Sequence, residues 1–340
     1  MVIITMNVMK RETIHSMKFT TYAIPILGIA LIVSLSSCGK DNPVDSEMNP
    51  EPSFNFDGDL IAFRSDRDGN DDIWLMTPDG SESINITNHS SAETDPTWSP
   101  DGSKIAFVST RTGNAELFMM DVDGSNVIQV TDNQGSIRWP KWSPDGSLIA
   151  FSSNVNNQRD IYVVPAPDAI SKQSKSSSVG CEDPLQVTDH PETDNEPVWS
   201  PDGSKMYFFS TRDGIGGVWE LEFNCEGGSN LLKLTIEFEF GCAPTVGWSL
   251  LDGKAKLSFV GEKNGQYDIW TMDLDGSNQM NVTNDPGTDW TSTWTDDGDQ
   301  LFFDSDRNDN WDIFSVNEDG SGLTQITDHP ADDRYPAWRP

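Results

Sequence analysis

Trp98-Ser99-Pro100-Asp101-Gly102-Ser103-Lys104-Ile105-Ala106-Phe107 is the stretch from which the rest of the chain can be read. An Asp-Gly pair between an aromatic residue and an apolar run is a hairpin signal, because glycine supplies the positive φ that the turn demands. The first half of the string returns at Trp142–Gly146 and Trp199–Gly203. Looser copies start at Trp248 and Trp294, a degenerate one at Phe54, and Trp338-Arg339-Pro340 opens a seventh that the C-terminus cuts short. From Phe54 to Trp338 the anchors are spaced 44, 44, 57, 49, 46 and 44 residues apart. Six periods of this length are the mark of a repeat architecture.

One grammar fills each period. After Asp-Gly comes an apolar stretch (Leu60–Phe63, Lys104–Phe107, Leu148–Phe151, Met206–Phe209, Leu301–Phe303), then a polar loop, often Ser-x-Arg. A second apolar strand follows (Asp72–Trp74, Glu116–Phe118, Asp160–Tyr162, Asp268–Trp270, Asp312–Phe314), then a turn and a third strand ending in Thr. With the Trp-bearing segment that makes four short strands per period, and no run shows sustained helical periodicity. The expected fold is all-β, a six-bladed β-propeller of four-stranded antiparallel blades. One blade cannot bury both faces, so the ring must close, and Tyr335–Trp338 is expected to supply the innermost strand of blade one. Ser53–Asn55 competes for that slot.

These recurring strings resemble the WD40-like (PD40) repeats of the TolB-family β-propeller, over residues 54–340. The resemblance implies the fold and no activity by itself. TolB-family chains carry an α/β domain before the propeller, where a lipid anchor and tether are expected here; peptidase-like propellers are followed by a hydrolase domain, which is not expected after Pro340.

Residues 1–37 read as a lipoprotein signal peptide, with Met17 an alternative start. Tyr22–Leu35 is an apolar run of h-region length preceded by Lys18, and it ends in Leu35-Ser36-Ser37-Cys38, which resembles a lipobox. Cys38 is the expected lipidation site, and residues 38–53 the lipidated cysteine and an acidic tether. Gly39 in place of aspartate points to the outer rather than the inner membrane. The whole sequence holds 22 Lys+Arg against 55 Asp+Glu, a formal −33. Such a body repels phosphate backbones, so nucleic acid is not an expected partner; the membrane is met through the lipid anchor only, and the chain is expected to be a monomer.

Chemistry leaves few marks. There is no G-x-S-x-G, H-E-x-x-H, C-x-x-C or Walker loop, so no catalytic residue is assigned. Asp-x-Asp-Gly runs such as Asp121–Gly124 read as turns rather than calcium loops, with incidental calcium left open and no cofactor expected. His89, His190 and His329 share one repeat position, which argues for loop structure and against a metal. Arg67, Arg111, Arg212 and Arg307 are expected to pair with acids opening the next strand, such as Asp72, Glu116 or Asp312. Cys181 and Cys225, in hairpins of adjacent blades, are the expected disulfide.

Nine of the twelve Trp hold repeat positions; Trp139, Trp290 and Trp311 do not. They are expected in loops of one face, with Arg138, Arg334 and Tyr335 beside them. Aromatic rings with arginines are what binding hot spots use. The expected function is a lipid-anchored, non-catalytic envelope module holding a protein, peptide or glycan partner there. The alternative is a glycan lyase or hydrolase using carboxylates at the channel mouth.

Overall fold

The computed structural model describes residues 54–167, 183–235, 240–249 and 254–340. The signal segment, Cys38, the tether and Cys181 lie outside the described residues. Among the described residues twenty-four strands form six four-stranded antiparallel sheets. Blade one is β24 (Asp333–Trp338), β1 (Ile61–Ser65), β2 (Asp72–Met76) and β3 (Ser83–Asn85), in that order. Blade two runs β4 (Glu93–Trp98), β5 (Lys104–Ser109), β6 (Glu116–Asp121) and β7 (Ile128–Gln129). Blade three is β8 (Arg138–Trp142), β9 (Leu148–Ser153), β10 (Asp160–Pro165) and β11 (Leu185–Gln186). Blade four comprises β12 (Asp194–Trp199), β13 (Lys205–Ser210), β14 (Gly217–Asn224) and β15 (Gly227–Lys233). Blade five holds β16 (Phe240–Ser249), β17 (Lys254–Lys263), β18 (Gln266–Asp273) and β19 (Met280–Asn281). Blade six has β20 (Asp289–Trp294), β21 (Gln300–Ser305), β22 (Asp312–Asn317) and β23 (Thr324–Gln325).

Closure falls to the C-terminal strand. β24 pairs with β1, Ile61 opposite Trp338 and Ser65 opposite Asp333. Phe54 takes no strand; it stacks edge-on against Phe56 and packs on the cluster between blades one and two. Arg339 fastens the seam, donating from Nε to Gly102 O (2.9 Å) and from Nη1 to Phe56 O (2.6 Å).

The two-residue periodicity of the strands sends alternate side chains to opposite neighbours. Leu60 and Ala62 pack toward blade two with Ile105 and Phe107; Ile61 and Phe63 pack toward blade six with Phe302 and Ile313. Six apolar clusters result, one for each interface of a six-membered ring, whereas an open array would have five. The turn glycines set the blade spacing. Gly124 (φ +79°) lies so close to the preceding blade that a Cβ there would stand 2.1 Å from Ile86 O. Gly80 repeats the contact across the closing seam, 2.3 Å from Ile326 O.

The Ser-x-Arg arginines are paired, but not with the acids expected. Arg67 Nη2 meets Asp333 (2.7 Å), Arg212 Nη2 meets Asp194 (2.8 Å), Arg307 Nη2 meets Asp289 (2.7 Å), and Arg111 pairs with Glu93. Each of these acids opens the innermost strand of its own blade and is wholly buried. The acids opening the third strand are already occupied: Asp72 accepts hydrogen bonds from Asn85, Thr87 Oγ1 and the His89 N–H. The arginine plane also rests on two blade aromatics, Phe107 and Phe118 for Arg111, Phe208 and Trp219 for Arg212. The histidines close turns, each Nδ1 accepting the N–H two residues on, as His89 does from Ser91.

Candidate functional site at the channel mouth

The innermost strands surround the central channel, and each is interrupted a few residues before its Trp anchor. In β4 the pairing with β5 skips from Thr94 to Thr97; β8, β12 and β24 skip at the same place, β20 one residue earlier (Asp289 to Ser292) and β16 two residues earlier (Cys242 to Thr245). A bulge of this kind turns a side chain out of the ladder. The bulge residues Asp95, Trp139, Glu196, Thr291 and Tyr335 line one cavity together with Thr245 of blade five, which itself stays paired with Ser258.

Four of the six have left-handed backbone: Asp95 (φ +53°), Trp139 (+53°), Glu196 (+54°) and Tyr335 (+56°). Elsewhere among the described residues positive φ belongs to Gly, Asn and Asp. All four precede a proline (Pro96, Pro140, Pro197, Pro336), whose missing N–H suits a position with no ladder partner. Thr245 and Thr291 lack that proline and stay out of the left-handed region, which a β-branched side chain disfavours.

Around this ring arginines and aromatics interleave. Arg159 Cζ lies 5.7 Å and Arg138 Cζ 5.0 Å from the Trp139 ring centroid. Arg138 Nε donates to Asp95 Oδ2 (2.7 Å), and the Trp139 N–H donates to the same oxygen (3.2 Å), so one carboxylate caps the bulge of the next blade. The Asp95 charge holds the Arg138 pKa up against burial, with a smaller contribution from the neighbouring Tyr335 phenol. Burial, then the Asp95 charge, raises the Tyr335 phenol. Arg334 Cζ sits 5.1 Å from the Tyr335 ring and 3.7 Å from that of Trp311, and its Nε donates to Asp304 Oδ2 (2.9 Å). Asp304 is fully buried, which pushes its pKa up to about 6 against the pull of Arg334. The ladder Arg159–Trp139–Arg138–Tyr335–Arg334–Trp311 thus links residues of blades three, one and six, with Asp95 of blade two as its anion.

Five of the six residues singled out from the sequence join this ladder: Arg138, Trp139, Trp311, Arg334 and Tyr335. Trp290 does not; it turns into the interface of blades five and six, 5.7 Å from the Tyr267 ring. Five of the six (Arg138, Trp139, Trp290, Arg334, Tyr335) lie on innermost strands rather than in the loops before them; only Trp311 precedes its strand. Sequence reasoning missed Asp95, Glu196 and Lys141, which also line the mouth. The pattern X-Pro-x-Trp at residues 95–98, 139–142, 196–199 and 335–338 marks the turned residue directly. Cys225, in the β14–β15 turn, is disulfide-bonded. Among the described residues no group of three or more His, Cys, Asp or Glu is placed to hold a metal ion.

Comparison with known proteins places this geometry. Residues 40–184 match the family model PD40, the TolB beta propeller domain. A Tol-Pal system protein TolB of Anaeromyxobacter dehalogenans is 37% identical over 98 residues, 29% of this chain and 21% of that protein. The chain therefore aligns with about a fifth of the length of the curated relatives it matches. The crystal structure of TolB from Acinetobacter baumannii superposes with a TM-score of 0.66 at 20% identity, covering 83% of this chain and 66% of that one. Kuenenia stuttgartiensis hydrazine synthase gives 0.65 at 17% identity over 83% of this chain and 46% of its own. At these identities the structural likeness speaks to fold alone. The chain thus carries a TolB beta propeller match over residues 40–184, within a six-bladed propeller of the fold seen in TolB.

Proposed function

We propose that this chain is a lipid-anchored, non-catalytic binding module of the bacterial cell envelope, and that its channel mouth holds a protein, peptide or glycan partner. The observation that carries the reading is the arginine–aromatic ladder across the mouth of an otherwise acidic body. Such pairings concentrate binding energy, and charge set against the sign of the surrounding surface selects a partner. The disulfide at Cys225 suits an oxidising compartment. The curated relatives of the matched segment are named as Tol-Pal system proteins, which supports an envelope setting. Cys38 carries the anchor, with the outer membrane as the address; a Cys38→Ala chain that still fractionates with membranes would remove that part.

The test is capture of envelope components by the full chain and by Trp139→Asn/Trp311→Ala. Asparagine tolerates the left-handed backbone at 139, so the variant should melt near the parent temperature. Capture of the partner should fall at least tenfold; unchanged capture by the folded variant refutes the reading. A glycan lyase or hydrolase is the second reading, because Asp95 and Glu196 both line the mouth. Asp95 is already engaged by Arg138, which weighs against it, and turnover of any member of a polysaccharide panel would favour it.

A further inference from the structure

One level below the turned residues, Thr97, Thr293 and Ala337 of the innermost strands line a second void. The charged residue at this level is Lys141, which borders both the mouth cavity and the void beneath it. Its side chain is half-buried. Desolvation lowers its pKa, opposed only by the charges of Asp95 and Glu196 acting without a hydrogen bond. Asp95 is spent on Arg138 and the Trp139 N–H, and Glu196 has an interaction of its own. Among the described residues, Lys141 Nζ has no hydrogen-bond or ion-pair partner.

A half-buried ammonium without a counter-ion is unfavourable, and a well-placed anion offsets part of that cost. The surroundings select the anion. One point charge with threonine hydroxyls at both levels (Thr245 above, Thr97 and Thr293 below) suits a monoanion with two acceptor oxygens. A phosphate dianion would face Asp95 and Glu196 without the arginine fork it prefers. A cation would have to displace Lys141 itself.

We propose that the channel binds a carboxylate whose oxygens pair with Lys141 Nζ. The carboxylate arrives as a small free acid, or as the C-terminus or acidic side chain of an inserted segment; the second source rests on the mouth-binding reading above, the first does not.

The experiment follows the lysine Nζ signals of the full chain by NMR, with the Lys141 signal identified by its loss in Lys141→Met. Sodium acetate is titrated against sodium chloride and methylammonium chloride at matched ionic strength. With acetate bound, the Lys141 titration midpoint should rise by about one unit, a tenfold gain in proton affinity, with no comparable rise in chloride. Acetate affinity should fall at least tenfold in Lys141→Met. Equal effects of chloride and acetate, binding of methylammonium, or unchanged acetate binding by Lys141→Met each overturn the proposal. The acetate–chloride comparison needs no variant, so misfolding of Lys141→Met cannot leave the matter open. A peptide acetyl-Gly-Gly-Gly-Ala with a free C-terminus, set against its C-terminal amide, separates the sources: acid-specific binding indicates a presented carboxylate, and acetate binding without peptide binding a free acid. Trp139→Asn/Trp311→Ala keeps Lys141, so loss of partner capture with retained acetate binding separates the two readings.

Discussion

Replacing Gly124 by alanine tests whether the turn glycines set the spacing between blades. The substitution adds one methyl group to the turn joining β6 and β7. A left-handed alanine costs about 1–2 kcal/mol relative to glycine. The new Cβ would also stand 2.1 Å from Ile86 O of blade one, more than an ångström inside contact. Forcing such an atom into a packed interface costs about 1–3 kcal/mol more. Gly214 is the matched control: its φ of +82° is nearly that of Gly124 at +79°, but a Cβ there meets nothing within 4 Å. Gly214→Ala should therefore cost about 1 kcal/mol and Gly124→Ala about 3. A propeller of nearly 290 residues gains about 0.6 kcal/mol per kelvin of unfolding entropy, so the melting temperature should drop by about 2 °C and about 5 °C. Circular dichroism melts and urea midpoints of the two variants are the assay. Gly80→Ala, 2.3 Å from Ile326 O, should resemble Gly124→Ala, and Gly276→Ala, 2.9 Å from Leu234 O, should fall between. Equal losses at Gly124 and Gly214 would refute the reasoning, because the interblade contact would then contribute nothing.

Arg212→Leu leaves the wholly buried Asp194 without its cation and should cost about 3–5 kcal/mol by urea denaturation, against less than about 1 kcal/mol for Lys233→Leu at the more exposed pair with Asp213. Asp304 gives a pH signature: folded, its pKa is about 6, and 3.8 is the ordinary value of the unfolded chain, so between these the folded state binds more protons. Its contribution is then fully present below pH 3.8 and is lost as pH rises through 6, on the order of 3 kcal/mol. The stability of the parent relative to Asp304→Asn should fall across that window, and a flat difference contradicts the assignment. Deleting Asp333–Pro340 strips β1 of its partner and Arg67 of Asp333, so the truncated chain should aggregate or lose its cooperative melt. Melting at the parent temperature would mean that the ring does not depend on β24.

The fold was legible because each period states it redundantly. Turn glycines, alternating apolar residues and the Trp anchor agree at every level, so no long-range information was needed beyond the period itself. The partners of the arginines were not legible, for a geometric reason. Ser65 faces Asp72 across one ladder and Asp333 across the other, so an arginine leaving that position has two acids at similar distance. What decides is that Thr87 and the His89 N–H already claim Asp72, a fact of the third dimension. Trp290 misled for a related reason. It shares a repeat position with Arg138 and Arg334, but an indole has an apolar interface to fill while a guanidinium must find an anion. Asp95, Glu196 and Lys141 were hidden by number, two acids among 55 and one lysine with no motif around it.

The strain at the mouth is more than a packing role needs. Four left-handed non-glycine residues cost about 4–8 kcal/mol together, a large share of the 5–15 kcal/mol by which a domain is stable. A ring needing only side chains to plug its channel could place threonine in ordinary backbone, as blade six does at Thr291. Blades one to four instead fix Tyr335, Asp95, Trp139 and Glu196 in the costly conformation and follow each with a proline, which narrows the unfolded ensemble and recovers part of the loss. These four strained residues line the same mouth as Lys141. Strain kept where ordinary backbone would also fill the channel is the pattern that the proposed recognition at the mouth would require.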